Sequence, residues 1–392
     1  MSKWRKKQLQ EIAFLKPTET LKKGDIAPNI PMANIKEFQR DVVKIDYSEF
    51  RGGTKFRNGD TLLAKITPCL ENGKTAFVNC LQEDEIGFGS TEFIVLRAKE
   101  NIDERFLYYL SISPEFRKQA ISLMEGTSGR KRVNENALKI SDFLIPDFEE
   151  QRKIANILSA IDDKIQINNQ INQELEAMAK TLYDYWFVQF DFPDQNGKPY
   201  KSSGGKMVYN PELKREIPEG WGVESVGNLL DKVTKAEKIE NNSIEFVGRI
   251  PVIDQSQKYI AGFTNNQNSL IQPQNGHVIF GDHTRVVKFI NFDYARGADG
   301  TQVLISNNEN ISNILLYHMI EDFDLSNYGY ARHFKFLKEK LVIVPDKKIS
   351  LQFANKADVI YKKIRNNIFE NQELTQLRDW LLPMLMNGQV KA

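Results

Sequence analysis

The most constraining feature of the sequence is an internal repeat, in which short motifs of the first half recur in the same order in the second half. Trp4 and the Asn58-Gly59 turn recur as Trp221 and Asn275-Gly276, each 217 positions later. Towards the end of each half the offset is 199 positions, and Asn172-Gln173-Glu174-Leu175 recurs unchanged. The offset is constant at each end and slips only in the middle, as expected for two copies whose loops have diverged.

Each copy has the same plan, a globular domain of strands and helices followed by one long helix. Apolar runs next to Asn-Gly turns, such as Leu62–Ile66 and Val278–Phe280, predict the strands. The segment between the copies is rich in Pro, Gly and Ser, which is typical of a linker. The sequence therefore predicts an α+β fold with a pseudo-twofold repeat of two similar mixed α/β domains. The predicted segments are a first domain (1–147), a first long helix (148–190), a linker (191–205), a second domain (206–349) and a second long helix (350–392).

Heptad spacing predicts that the two long helices form a coiled coil. Asp147 and Glu150 predict a capping box at the start of the first helix, and no Pro or Gly follows until Pro193. We expect Pro383 to kink or end the second helix. The predicted seam consists of Ile154, Leu158, Ile161, Ile165, Asn168, Asn172, Leu175, Ala179, Leu182 and Trp186 in the first helix, and of Phe353, Ala357, Ile360, Ile364, Asn367, Asn371, Leu374, Arg378, Leu381 and Leu385 in the second.

Two Asn residues interrupt each seam and predict how the helices pair. Helices that end two repeats related by a pseudo-twofold axis are antiparallel, so the numbers of facing residues have a constant sum. Asn168 with Asn371 and Asn172 with Asn367 both sum to 539, which predicts that these side chains face each other and fix the register. The alternative is that all four lie on a solvated helix face. A stiff helix pair would hold two domains apart by about one to one and a half turns of duplex DNA.

Composition limits the functional classes to which the chain can belong. Lys and Arg (53) almost balance Asp and Glu (52), so any nucleic-acid-binding surface has to be local. The two Cys and four His match no zinc pattern, and no Walker A motif, HExxH motif or methyltransferase tetrad occurs. No apolar run approaches the length of a membrane span, and Met1–Lys7 does not begin a signal peptide. We therefore expect a cytoplasmic protein with no catalytic residue, metal or cofactor of its own.

Positive charge is concentrated in a few segments. Residues 1–57 contain 13 Lys or Arg against 7 Asp or Glu, and the loop Gly126–Arg132 combines glycine, hydroxyl and basic residues, which suit phosphate and guanine. The second copy has Tyr328–His333 at the comparable place. Basic loops are often merely solvated, and it is the recurrence in both copies that favours DNA contact. The candidate DNA-contacting residues are Arg51, Lys55, Arg57, Lys65, Lys74, Thr127, Ser128, Arg130, Lys131, Arg132, Lys258, Tyr259, His283, Arg285, Lys288, Arg296, Tyr328, Tyr330, Arg332 and His333.

Taken together, the motifs resemble the specificity (S) subunit of type I DNA restriction-modification enzymes. The second copy departs from the family pattern at its helix start, Leu351-Gln352-Phe353, and keeps only Gly300-Thr301-Gln302-Val303 of one strand motif. The motifs that carry the resemblance are Ile217-Pro218-Glu219-Gly220-Trp221, Asp60-Thr61-Leu62-Leu63-Ala64-Lys65-Ile66-Thr67-Pro68, Gly89-Ser90-Thr91-Glu92-Phe93, Gly126-Thr127-Ser128-Gly129-Arg130 and Glu150-Gln151-Arg152-Lys153-Ile154-Ala155.

The resemblance implies that each domain is a target-recognition domain for one half of a bipartite DNA sequence, and that the helices set the spacer. It also implies two methyltransferase (M) subunits as partners, which supply S-adenosylmethionine and adenine-N6 methylation. Restriction (R) subunits, whose presence the sequence leaves open, would add cleavage that uses ATP and Mg²⁺. Two other interpretations stay open at this point: a duplicated coiled-coil scaffold that binds only proteins, and an enzyme with an unrecognised site.

Overall fold

A computed structural model of the chain describes residues 4–42, 44–127, 129–231, 233, 236–329 and 332–392, with the backbone alone for Tyr328. The fold divides into two units. The first comprises the residues up to Asn168 together with Glu370–Ala392, and the second comprises Asn169–Phe369. Each unit therefore contains one globular domain and a part of both long helices. In the described residues, no helix is both long enough and apolar enough to cross a membrane.

The first copy contains twelve strands and five α-helices in its described residues. The strands are β1 (Arg5–Gln8), β2 (Ala13–Leu15), β3 (Ile26–Ile30), β4 (Asp46–Glu49), β5 (Thr54–Phe56), β6 (Thr61–Ala64), β7 (Thr75–Phe77), β8 (Gly87–Gly89), β9 (Phe93–Ala98), β10 (Met124–Glu125), β11 (Arg132–Val133) and β12 (Asp142–Ile145). The helices are α1 (Leu9–Ile12), α2 (Glu104–Ile112), α3 (Pro114–Ser122), α4 (Glu135–Lys139) and α5 (Phe148–Tyr183).

Two four-stranded sheets form the centre of the first domain. One is antiparallel in the order β2-β9-β6-β7, and the other has the order β4-β3-β8-β5 with β3 and β8 parallel. Successive side chains of a strand point to opposite faces. Leu62 accordingly packs with Ile30 and Phe56 between the sheets, whereas Leu63 packs with Phe106 of α2 on the other face. The apolar run of β6 is therefore buried on both faces.

The second copy repeats this topology. Its strands are β13 (Met207–Asn210), β14 (Arg215–Pro218), β15 (Gly222–Ser225), β16 (Ile250–Ile253), β17 (Gly262–Thr264), β18 (Leu270–Ile271), β19 (His277–Gly281), β20 (Val287–Ile290), β21 (Tyr294–Arg296), β22 (Thr301–Leu304) and β23 (Leu341–Val344), and its helices are α6 (Asn313–Ile320), α7 (His333–Glu339) and α8 (Lys347–Met386). The sheet β17-β16-β21-β18 corresponds to β4-β3-β8-β5, including the parallel central pair. The sheet β20-β19-β22 corresponds to β7-β6-β9. This agreement in strand order confirms the duplication predicted from the sequence.

A pair of antiparallel strands leads into each long helix. β12 pairs with β1, and β23 pairs with β15. The backbone N–H of Glu150 donates to Asp147 Oδ1 (3.0 Å) at the start of α5, while Glu150 Oε1 accepts a hydrogen bond from the backbone of Ala392 (3.3 Å). Asp147 therefore caps α5, but the Glu150 carboxylate binds the chain terminus. Helix α8 continues through Pro383 and ends three residues later at Met386.

The Asn residues of the helix seam pair as the constant sum predicts. Within the first unit, Asn168 Nδ2 donates to Asn371 Oδ1 (2.9 Å), and within the second unit Asn367 Nδ2 donates to Asn172 Oδ1 (2.8 Å). Asn168, Asn172 and Asn367 are buried, so the alternative of a solvated face does not hold for them. Within each unit, the stretches of α5 and α8 therefore run antiparallel in the register that the sequence predicts.

The predicted linker is a packed segment of the second unit. The rings of Phe192 and Trp221 are stacked with centroids 4.8 Å apart, and the Tyr200 ring stacks on Phe192 at 4.6 Å. Ser202 donates two hydrogen bonds to the carboxylate of Asp191, from its backbone N–H and from its hydroxyl group. The Pro and Gly residues shape turns here, and the aromatic residues between them anchor the segment, so it is not a free tether.

Candidate nucleic-acid interface

In both domains, the ends of corresponding strands are joined by a backbone hydrogen bond. In the first domain, Lys65 N just after β6 donates to Glu92 O after β8 (2.9 Å). In the second, Asp282 N just after β19 donates to Gly300 O after β21 (2.7 Å). Lys65 and Asp282 are 217 positions apart, the offset of the preceding Asn-Gly turns. Glu92 and Gly300 are therefore equivalent in the two copies.

In each domain, the loop that precedes a short helix is hydrogen-bonded to the equivalent residue, Lys65 in the first domain and Asp282 in the second. Val133 N before α4 donates to Lys65 O (2.9 Å), and His333 N at the start of α7 donates to Asp282 O (3.0 Å). Arg132 and Arg332, each one residue earlier, are consequently equivalent. We call residues 65–67, 90–92, 126–127 and 129–133 the first strand-end surface. The second strand-end surface comprises residues 254–259, 282–285, 297–300 and 332–334.

The first strand-end surface carries an exposed basic hairpin loop. Strands β10 and β11 pair antiparallel, and Arg130 N donates to Thr127 O (3.1 Å) in the loop between them. Gly126 has a φ of 126°, a backbone conformation that favours glycine. Thr127, Arg130 and Lys131 are exposed, and among the described residues no side chain pairs with Arg130 or Lys131. Both charges are therefore available to a ligand.

Two other basic side chains of this surface form ion pairs with carboxylates of the chain. Arg132 binds Glu92 through two guanidinium nitrogens, with Nε 2.9 Å from Oε2 and Nη2 2.6 Å from Oε1. The hydrogen bonds from Arg132 lower the pKa of the Glu92 carboxyl. Lys65 Nζ lies 3.2 Å from Glu135 Oε1. Arg132 and Lys65 therefore anchor the hairpin, while Arg130 and Lys131 supply its unpaired positive charge.

In the second strand-end surface, Asp282 joins the turn after β19 to the start of α7. Its carboxylate Oδ1 accepts from Phe334 N (2.9 Å), and its carbonyl oxygen lies 2.9 Å from His333 Nδ1. His333 is 4% exposed, so this predicted DNA contact is corrected to a buried structural residue. His283, Arg285 and Arg332 remain exposed around this joint. In the described part of the chain, no carboxylate forms an ion pair with Arg285 or Arg332.

Lys288 is a buried residue that holds a loop of the second strand-end surface in place. Its side chain is 4% exposed, and Nζ donates to the carbonyl oxygens of Asp254 (2.9 Å) and Lys258 (2.5 Å). Burial lowers the pKa of Lys288 to about 8. Gln255 in the loop thus held accepts a hydrogen bond from His283 N (3.1 Å). The prediction that Lys288 touches DNA is therefore corrected, because this lysine fixes the loop that positions His283.

Comparison with known proteins shows which proteins the chain resembles. Residues 1–177 match the family model described as the type I restriction modification DNA specificity domain. The chain is 26% identical over 319 residues to the specificity subunit of the type I restriction enzyme MjaIX of Methanocaldococcus jannaschii, a match that covers 75% of this chain and 71% of that protein. For the HindI specificity subunit of Haemophilus influenzae the values are 25% identity over 411 residues, 85% and 87%. Residues 1–177 therefore belong to the type I restriction modification DNA specificity domain family, and the chain as a whole is similar to type I specificity subunits.

The fold agrees with this assignment. The crystal structure of the S subunit of a type I restriction-modification system from M. genitalium aligns with a TM-score of 0.53 and 16% identity, covering 98% of this chain and 96% of that one. Specificity subunits are non-catalytic components that carry DNA sequence recognition domains. In the residues that the structure describes, no three His, Cys, Asp or Glu side chains form a group suited to a metal ion.

Lys258 and Tyr259 lie within the second strand-end surface, and the remaining predicted contacts lie outside both surfaces or outside the described residues. The hydroxyl group of Tyr259 donates to Phe289 O (2.5 Å). Asp60 precedes β6, and at this opposite end of the strand Arg57 pairs with Glu19. Ser128, Tyr330 and the side chain of Tyr328 lie outside the described residues. The others are Arg51, paired with Glu49 (2.9 Å); Lys55, bound to Glu19 O (3.0 Å); Lys74, bound to Met32 O (3.1 Å); and Arg296, half-buried in β21.

Sequence reasoning missed two residues that organise these surfaces. Gln255 and Asp282 are uncharged or acidic and therefore escape a search for basic residues. Both directly follow or nearly follow a buried apolar strand, which is a detectable signal because polar residues at strand ends are often positioned for binding. Their hydrogen-bond partners could not be predicted from the sequence, because these partners are backbone groups distant in sequence.

Proposed function

We propose that each globular domain recognises one half of a bipartite DNA sequence through its strand-end surface. The observation that carries this proposal is that equivalent scaffolds present different exposed side chains. The first surface presents Arg130 and Lys131, and the second presents His283, Arg285 and Arg332. A guanidinium group can bind a guanine edge or a phosphate, so different side chains on the same scaffold favour different half-sites.

We further propose that the helix pair sets the spacer between the half-sites and binds two M subunits. Helices α5 and α8 leave large apolar side chains exposed, although most residues of their seam are buried. Trp380 is 58% exposed and Met178 is also 58% exposed, and such exposed apolar groups are favoured where a partner protein binds. The others on these helices are Phe148, Ile157, Ile167, Ile171, Leu351, Val359 and Leu377.

In this proposal the chemistry resides in the partner subunits. The M subunits bind S-adenosylmethionine and methylate adenine at N6, and R subunits, where present, use ATP and Mg²⁺ to translocate and cleave DNA. The specificity subunit contributes the sequence recognition and works in the cytoplasm, where the chromosome of a bacterial or archaeal cell lies.

Selection of bound duplexes from a random DNA pool tests this proposal. The specificity subunit is assembled with its M subunits, and bound duplexes are sequenced for the wild type, Arg130→Ala and Arg332→Ala. We expect a bipartite consensus, with Arg130→Ala relaxing one half and Arg332→Ala the other. Arg51→Ala is the matched control, because Arg51 is an exposed arginine already paired with Glu49 (2.9 Å). Selection of no consensus would instead favour a protein-binding scaffold.

A further inference from the structure

Arg132 and Arg332 occupy equivalent positions, but the residue that faces them differs. Arg132 follows the loop of the first strand-end surface and is bound by the Glu92 carboxylate. In the second surface the position equivalent to Glu92 is Gly300, which has no side chain. Arg332 is exposed, and in the described part of the chain no carboxylate pairs with it. The two copies thus share an arginine at this position, and only the first has a carboxylate at the position that faces it.

We propose that Arg332 binds a DNA phosphate, whereas Arg132 is a positioning residue whose charge Glu92 cancels. The inference rests on the proposed function of the two surfaces as DNA-contacting sites. It assigns different roles to two arginines that corresponding backbone hydrogen bonds place at the same position of the repeat.

The geometry around Arg132 opposes contact with phosphate. Its guanidinium already makes two hydrogen bonds of 2.6 and 2.9 Å to Glu92, so a phosphate would have to displace a bidentate carboxylate. A phosphate that approached without displacing it would come close to the negative charge of Glu92. The paired Arg132 instead lies in β11, whose Val133 N donates to Lys65 O (2.9 Å), and this keeps the base of the hairpin in place.

The surroundings of Arg332 favour phosphate. His283 and Arg285 are exposed in the adjoining turn. The exposed carboxylate of Asp299 in the same surface lies 3.5 Å from Lys238 Nζ, which offsets its charge. The nearby carboxylate of Asp282 is 4% exposed and accepts from Phe334 N (2.9 Å), which directs it into the fold. Arg332 directly precedes His333, which is held by two contacts to Asp282 O of 2.9 and 3.0 Å. The backbone next to Arg332 is therefore held in place. A contact with phosphate requires ordering of the arginine side chain but little ordering of the backbone.

The dependence of DNA affinity on salt concentration distinguishes the two roles. Each arginine that neutralises a phosphate contributes about one unit to the slope of log K against log salt concentration. The probe is one fluorescent 40-base-pair duplex of fixed sequence, and the protein is the specificity subunit assembled with its M subunits. We expect Arg332→Ala to reduce the slope by about one and Arg132→Ala to leave it unchanged.

Glu92→Gln provides the decisive comparison, because the amide keeps the shape of the carboxylate and removes its charge. We expect this variant to steepen the slope by about one, as it releases Arg132 to phosphate, and we expect the double variant Glu92→Gln/Arg132→Ala to return to the wild-type slope. Thermal unfolding of each variant shows whether its fold is retained. Equal loss of slope in Arg132→Ala and Arg332→Ala, or an unchanged slope in Glu92→Gln, would overturn the inference. If the wild-type complex binds the duplex with no salt dependence, the proposed function itself fails.

Discussion

Replacing Arg378 by Met should destabilise the first unit strongly, because Arg378 is the one charged residue in the predicted seam. Its side chain is 5% exposed, and Nη1 lies 2.9 Å from Oδ1 of Asp162, which is 4% exposed. The other oxygen of Asp162 accepts a hydrogen bond from the Tyr109 hydroxyl group (2.7 Å). The pair therefore links both long helices to α2 of the first domain within one buried network.

The expected loss of stability depends on which interactions the remaining charged group keeps. Removing one partner of a buried ion pair typically costs about 3–5 kcal/mol, since the remaining charge stays buried. In Arg378→Met, Asp162 keeps the hydrogen bond from Tyr109, so we expect the lower end, about 3 kcal/mol. That value corresponds to an increase of about 100-fold in the opening constant of the helices. Asp162→Asn combined with Arg378→Met removes both charges and should recover most of the loss.

Amide hydrogen exchange followed by mass spectrometry measures this opening constant in peptides from 155–168 and 370–386. The matched control is Asp358→Asn on α8, which breaks an exposed pair with Lys362 (2.6 Å) and should cost less than about 0.5 kcal/mol. The reasoning would be refuted if Arg378→Met changed exchange no more than the control. A double variant no more stable than Arg378→Met would contradict it equally.

Three further predictions concern the seam, acid stability and the spacer. Asn367→Leu should cost about 1–3 kcal/mol in urea unfolding because it removes the buried partner of Asn172, and Asn172→Leu/Asn367→Leu should restore most of that stability. Burial lowers the pKa of His277 to about 4 from the usual 6.5, so its contribution is present above pH 6.5 and lost as the pH falls towards 4. The urea midpoint should therefore fall less steeply over that range in His277→Gln than in the wild type. Insertion of one heptad into each long helix adds about 10 Å and should lengthen the preferred spacer by about three base pairs with unchanged half-sites.

Much of the fold could be predicted because its determinants are periodic or repeated. The apolar runs of β6 and β19 and the heptads of α5 and α8 show directly which residues are buried. The pairing of Asn168 with Asn371 followed from arithmetic alone, since antiparallel helices related by a repeat have one constant sum.

What could not be predicted depends on contacts between residues distant in sequence. Arg378 interrupts the seam, but its partner Asp162 lies 216 positions away and matches no local motif. Lys288 and His333 are residue types that commonly contact DNA. Only the structure shows that both are buried and bound to backbone carbonyl groups. The segment 191–205 has linker composition, whereas the packing of Phe192 on Trp221 makes it part of the second unit.

Sequencing of methylated adenines tests most directly whether the two domains recognise separate half-sites. The subunit is expressed with its M subunits in a host without adenine methylation, either as the wild type or with residues 126–131 replaced by a Gly-Ser loop of equal length. The account predicts a bipartite methylated motif in the wild type and a change in only one half when the loop is replaced. A continuous motif, or a change in both halves at once, would contradict it.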